Sequence, residues 1–471
     1  MTSDFAQNPG RDGRPTWGVI GRAAAFLLLF LAACSDSGTT APDRSTADLA
    51  VAGHPGIATR VRSLATQRGI TPMPAPPHVR PALARLGRAL AFDPLLSGNR
   101  DISCMTCHLP ELATDDGRSL AIGQGATGLG PERIHPEGTF IPRNAPPLFN
   151  LARLDHMFLD GRVEVDRAGK LHTPAGSQLT RAMTRALKFG AVSAQPMFPV
   201  VNRFEMRGQP GENELADVPD GDFRAVWEAL MVRLGKIPEY RRMFEAAYPG
   251  QRFEDMTFAH ASNAIAGFLV EAFSFDDAPW DRFLEGDHDV LTAEQLRGAL
   301  DFMEAPCSTC HNGPVFSDDQ FHDVALAQFG PGEGNGPTGR DDFGRMNVTG
   351  DPDDLYGFRT SPLRNVELTG PYGHAGQFAH LDDFIDHYSR NADKLRAYSD
   401  ADVPEPLLRG TLVDNRDAVI AARSPFIRAA DFDATFVREV TAFMRALTDD
   451  RARDLRRVIP AAVPSGLPVR R

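Results

Sequence analysis

Ser103-Cys104-Met105-Thr106-Cys107-His108 recurs about 200 residues later as Pro306-Cys307-Ser308-Thr309-Cys310-His311. Each copy is a C-x-x-C-H run, the c-type haem attachment pattern. Two thiols bond the porphyrin vinyl groups, and the adjacent histidine is carried beneath the ring to ligate iron. Competing uses of the thiols fit poorly. Zinc sites built from paired C-x-x-C keep the pairs ~15–20 residues apart. A thioredoxin-like redox pair belongs beside a βαβ pattern, and none is visible here. The pattern therefore implies two covalent c-type haems, on Cys104 and Cys107 with His108, and on Cys307 and Cys310 with His311.

Working outward, each motif follows an amphipathic helical stretch. Pro81 opens a helix with Leu83, Leu86 and Leu90 on one face. Thr292 and Gln295 form a capping box ahead of Leu296, Leu300 and Met303. Further stripes run through Val226, Trp227 and Leu230, through Ala264, Phe268 and Phe273, and through Phe436, Val440 and Phe443. Alternating strand patterns are scarce. The predicted fold is mainly α, two cytochrome c-like haem domains with long loops. Residues 76–275 form a first haem domain and 276–400 a second. Residues 401–471 form an extension packing back on the first. The stretches Gly123 to Pro147 and Gly330 to Asp354 are too long for simple connectors, and a bound haem gives them something to wrap.

The 471 residues are 42% hydrophobic and 24% charged, an ordinary globular profile, and no apolar run approaches the ~20 residues of a spanning helix. A net charge of −12 argues against nucleic acid as a partner. Residues 1–33 carry arginines ahead of a short apolar run and read as a signal peptide of lipoprotein type. Leu31-Ala32-Ala33-Cys34 resembles a lipobox, with Cys34 lipidated and residues 34–75 a flexible tether. That places the protein on the periplasmic side of a bacterial envelope, held to the membrane by lipid alone. With this assignment all five cysteines have owners, and none remains for a disulfide.

The ordered stretches SGNRDISCMTCH (97–108), PRNAPPLFN (142–150), FLDGR (158–162), MFPVVNRFEMRG (197–208), APCSTCHNGPVFSD (305–318) and FRTSPLRNVELTGPYGHAGQFAHLDDFIDHY (358–388) resemble the bacterial di-haem cytochrome c peroxidase family, including its MauG-type branch. The resemblance implies that Glu205 is the distal proton shuttle over the first haem and that Gln195 positions the peroxide. It implies an inter-haem Ca²⁺ held by Asn144 and the carbonyls of Thr369 and Pro371, an oxygen donor set suited to that ion. His135 lies where some members carry a histidine that caps the first haem. Arg143, Arg162 and Arg364 are candidate partners for haem propionates, with ordinary ion pairs as the alternative.

Two positions depart from the peroxidase pattern. Fourteen residues after His374, where the second haem's methionine ligand is expected, stands Tyr388, as in MauG-type proteins. A phenolate ligand favours oxidised iron, whereas methionine raises the potential. Met346 is the rival ligand. Leu159 replaces the tryptophan that relatives carry between the haems.

These features imply an enzyme, an oxidoreductase that reduces H₂O₂ with electrons from a small donor protein, a cytochrome c or a cupredoxin. A MauG-type oxidase acting on side chains of a protein substrate is the alternative, and a non-catalytic di-haem electron carrier is a third reading.

Overall fold

A computed structural model describes residues 55–428 and 430–469. Residues 1–33 and Cys34 lie outside the described residues. The chain is mainly helical. Its strands are short: His156–Met157, Val163–Val165 and Leu171–His172 make one antiparallel sheet, and Phe321–His322 pairs with Phe358–Arg359.

One helical arrangement occurs twice. The Pro81–Phe92 helix, with proline in its first turn, crosses the Phe258–Phe273 helix. At the crossing a Cβ on Gly87 would stand 1.8 Å from the Ala264 carbonyl oxygen, so only glycine permits the approach. In the second half the Ala293–Glu304 helix crosses Ala434–Ala446 in the same way, with a Cβ on Gly298 1.8 Å from the Glu439 carbonyl oxygen. The capping box is formed: Gln295 N–H donates to Thr292 Oγ1 at 3.2 Å, and Thr292 N–H to Gln295 Oε1 at 2.9 Å. Each crossing leads into a one-turn helix carrying the cysteines, Cys104–Cys107 and Cys307–Cys310.

Two of the expected boundaries are corrected. The tether does not extend to residue 75. Pro55–Gln67 is a helix whose Ala58, Val61 and Ala65 are buried, with Ile70 beyond it, against Trp280, Phe302 and Phe443. Their spacing of three to four residues gives a helix one apolar face, and the second core takes it up. Nor does the whole of 401–471 return to the first domain. Ala434–Ala446 belongs to the second core through Phe436, Val440 and Phe443. Only the tail after it, with Ala452, Leu455, Val458 and Val463, joins the first core, where Arg88 Nε donates to the Val458 carbonyl at 2.6 Å.

Candidate active site

Two cavities receive the two motifs. Cys104, Cys107 and His108 wall the first; Cys307, Cys310 and His311 wall the second. The four described cysteines form no disulfide. His108 Nδ1 donates to the Thr114 carbonyl at 3.1 Å, and His311 Nδ1 to the Phe316 carbonyl at 3.0 Å. Burial lowers both imidazoles below their ordinary range. The rings are therefore neutral with the proton on Nδ1, leaving each Nε2 lone pair for a metal. A thiol pair and an oriented neutral histidine in each cavity are the donor set of a c-type haem.

Glu205 sits on a short π-helical turn, Arg203–Arg207, a geometry frequent at functional sites. Asn202 Oδ1 accepts from the N–H of Phe204 at 2.9 Å and of Glu205 at 3.1 Å. The turn is clamped from outside: Gln124 N–H donates to the Glu205 carbonyl at 3.0 Å, and Gly98 N–H to that of Met206 at 2.6 Å. A Cβ on Gly123 would stand 1.8 Å from the Phe204 carbonyl oxygen, so the clamp also depends on glycine. Glu205 and Gln195 wall the first cavity with Cys104, Cys107 and His108. Burial raises the Glu205 carboxyl above its ordinary range; nearby Arg162 opposes the rise and nearby Glu333 adds to it.

Arg143 is buried and fully engaged. Its Nε and Nη2 grip Asp342 at 2.7 and 2.9 Å, and its Nη1 donates to Asp160 at 2.6 Å. Asp160 also binds Arg162 at 2.9 Å, and these two arginines hold its carboxyl below the usual range against the opposing effect of burial. Arg143 and Arg162 do line the first cavity. Arg364 lines neither cavity: it pairs with Asp281 at 2.7 Å in a fully buried ion pair and donates to the Pro314 carbonyl at 2.9 Å.

Tyr388 lies in the wall of the second cavity with Cys307, Cys310 and His311, whereas Met346 lines neither cavity. Burial raises the Tyr388 phenol, so the ring enters the cavity protonated, and a bound cation would have to draw the proton off. His135 is also outside both cavities, with its ring against Gly125 and its Nδ1 accepting from Glu137 N–H at 3.1 Å.

Asn144, Thr369 and Pro371 wall the second cavity together. The Asn144 amide spends its NH₂ on the Arg118 carbonyl at 2.9 Å and the Ser119 carbonyl at 3.4 Å, which leaves Oδ1 for a cation. The donors present fit a hard ion such as Ca²⁺.

The sequence reading missed three features. Arg359 walls both cavities, and its Nη1 lies 3.5 Å from Asp319 Oδ1 without a hydrogen-bond partner. Glu333 reaches the first cavity from the second half of the chain. Cys310, Asp318 and His322 bring ligand atoms within 4.8 Å of one another. Cys310 is part of the second C-x-x-C-H run, and beside it His322 and Asp318 pair at 2.9 Å.

A family profile described as di-haem cytochrome c peroxidase matches residues 81–289. The chain is 28% identical over 384 residues to the methylamine utilization protein MauG of Methylorubrum extorquens, covering 81% of this chain and 86% of that one. It is 30% identical over 300 residues to the cytochrome c551 peroxidase of Pseudomonas aeruginosa, covering 64% and 69%. The protein belongs to the di-haem cytochrome c peroxidase family. Among solved structures it is similar to a MauG-like protein associated with microbial copper homeostasis, with TM-score 0.57, 27% identity, and 80% and 94% of the two chains covered. The fold is also that of the di-haem peroxidase BthA of Burkholderia thailandensis, with TM-score 0.52, 22% identity, and 80% and 88% covered. It is an oxidoreductase of the peroxide-using kind, and c-type haem is its cofactor.

Proposed function

We propose that the protein reduces H₂O₂ to water at the first cavity, with electrons from a small redox protein, a cytochrome c or a cupredoxin. The observation that carries this reading is the placement of Glu205 and Gln195 in one cavity with Cys104, Cys107 and His108. When bound, the haems supply the iron that takes up the peroxide and the electrons that reduce it. Gln195 holds the peroxide by its amide. The Glu205 carboxylate would take a proton from the peroxide and return it to the departing oxygen, so that the O–O bond breaks towards water rather than hydroxide. Arg143 and Arg162 stand at the same wall, held in place by ion pairs with Asp160 and Asp342. In this proposal His108 and His311 are proximal ligands, Tyr388 is the sixth ligand of the second haem, and Asn144, Thr369 and Pro371 hold Ca²⁺. Cys34 carries the lipid that keeps the protein on the periplasmic side of the envelope. Among the described residues no helix is long and apolar enough to cross a membrane.

Tyr388 favours a second reading, a MauG-type oxidase that takes its electrons from side chains of a protein substrate. Turnover assays separate the two. Sustained H₂O₂-dependent oxidation of a reduced cytochrome c or cupredoxin supports the peroxidase. No turnover with either carrier, together with peroxide-dependent oxidation of a co-purified protein, supports the oxidase.

A further inference from the structure

Reducing one H₂O₂ to two waters consumes two electrons and two protons. Glu205 only redistributes a proton that the peroxide already carries, so two more must enter the first cavity from solvent in each turnover. From the geometry of that cavity we infer that Glu333 is a positioning residue that passes solvent protons to Glu205. The inference rests on the reading of Glu205 as the shuttle.

Glu333 belongs to the second half of the chain, yet it walls the first cavity with Gly332 and Gly334. Its side chain is 35% exposed, with the carboxylate 3.7 Å from Arg143 Nε at the cavity wall. Its position is built rather than incidental. Gly332 has φ +68°, and a Cβ there would stand 2.1 Å from the Arg340 carbonyl oxygen. Glu333 N–H donates to the Asp341 carbonyl at 3.0 Å. Asn335 Oδ1 closes the loop by accepting from Phe343 N–H at 3.0 Å and Asn347 Nδ2 at 2.9 Å.

The charges around it leave the carboxyl free to exchange a proton. Arg143 Nε is 3.7 Å away but is already committed to Asp342 and Asp160. Burial, with Asp342 and Asp160, raises the Glu333 carboxyl, while Arg143 and Arg162 oppose the rise. Glu205 lines the same cavity, and the charge on Glu333 adds to the rise of the Glu205 carboxyl. Arg359, His108, Cys104 and Cys107 also line this cavity, and its other two acid–base side chains, Glu164 and His172, are paired. Glu164 binds Arg345 at 2.5 Å and lies 3.5 Å from His156, and His172 binds Asp166 at 2.8 Å.

The test compares turnover of the di-haem protein with its Glu333→Gln, Glu333→Asp and Glu205→Gln variants. Glu333→Gln is expected to slow steady-state turnover at neutral pH roughly tenfold, below the 10²–10⁴ typical of a direct acid–base group. Its haem spectrum should be unchanged, and added formate or acetate should restore the rate. The acid limb of its rate–pH profile should move to lower pH, because Glu205 loses a neighbouring negative charge. Glu333→Asp should keep most of the rate. An unchanged rate and limb in Glu333→Gln, or a loss that neither aspartate nor small acids repair, would overturn the relay. An unimpaired Glu205→Gln would overturn the shuttle beneath it, whereas an impaired Glu205→Gln beside an indifferent Glu333→Gln removes the relay alone.

Discussion

The backbone N–H of Arg359 donates to the carbonyl of Leu159 at 2.8 Å, and both residues wall both cavities. This bond pins a strand end of the second half to the segment of the first half that stands between the haem sites. On the Leu159 side the partition is aliphatic and offers no oxidisable ring. Leu159→Trp is expected to quicken electron sharing between the haems, read by pulsed reduction and optical detection. Overpacking should cost about 1–3 kcal/mol of stability. An unchanged exchange rate in a folded variant would show that the aromatic ring is not needed there.

The Glu205 turn depends on Gly123. Gly123→Ala places a methyl group against the Phe204 carbonyl and displaces the carboxylate. The expected result is full haem content with a reaction towards H₂O₂ slowed roughly 10²-fold, the cost of misplacing a reacting group by about 1 Å. Stopped-flow mixing measures it.

Tyr388 and Met346 make separable predictions for the second haem. Exchanging a phenolate for a thioether raises a haem potential. Tyr388→Met is therefore expected to raise the midpoint of the second haem in a spectroelectrochemical titration, while Met346→Leu leaves both midpoints in place. A shift in Met346→Leu alone would reverse the assignment.

The buried Arg364–Asp281 pair is a structural tie between the Pro279–Glu285 helix and the 358–388 stretch. Arg364→Met leaves Asp281 buried without its cation and is expected to cost about 3–5 kcal/mol by denaturant unfolding. Haem potentials should stay put. A shifted second-haem midpoint with little loss of stability would mark Arg364 as a propionate partner instead.

The two C-x-x-C-H runs are legible because haem attachment demands contiguous residues, so spacing alone singles out Cys104, Cys107 and His108. The helices were legible from their apolar period and from caps such as Thr292 with Gln295. What spacing could not reveal was direction. Arg359, at the end of a two-residue strand, and Arg364 stand five residues apart. Without a helical or strand period, nothing local says that the first faces the cavities and the second an aspartate. Gly87 and Gly298 look like ordinary helix glycines until the crossing helix is known. The apolar period of the Ala434–Ala446 helix does not name its partner; the close approach at Gly298 is what sets it in the second core.

The rate of reaction of the oxidised di-haem protein with one equivalent of H₂O₂, followed by rapid-mixing absorbance across pH, tests the central claim most directly. Glu205 must be ionised to take the peroxide proton. Because its folded pKa lies above the ordinary value of ~4.3, the rate should fall as pH drops through that raised value and hold above it. Glu205→Gln should lose this limb and slow the reaction roughly 10²–10⁴-fold. Two haems that ignore H₂O₂, or a Glu205→Gln variant with the wild-type rate and the same acid limb, would contradict the account.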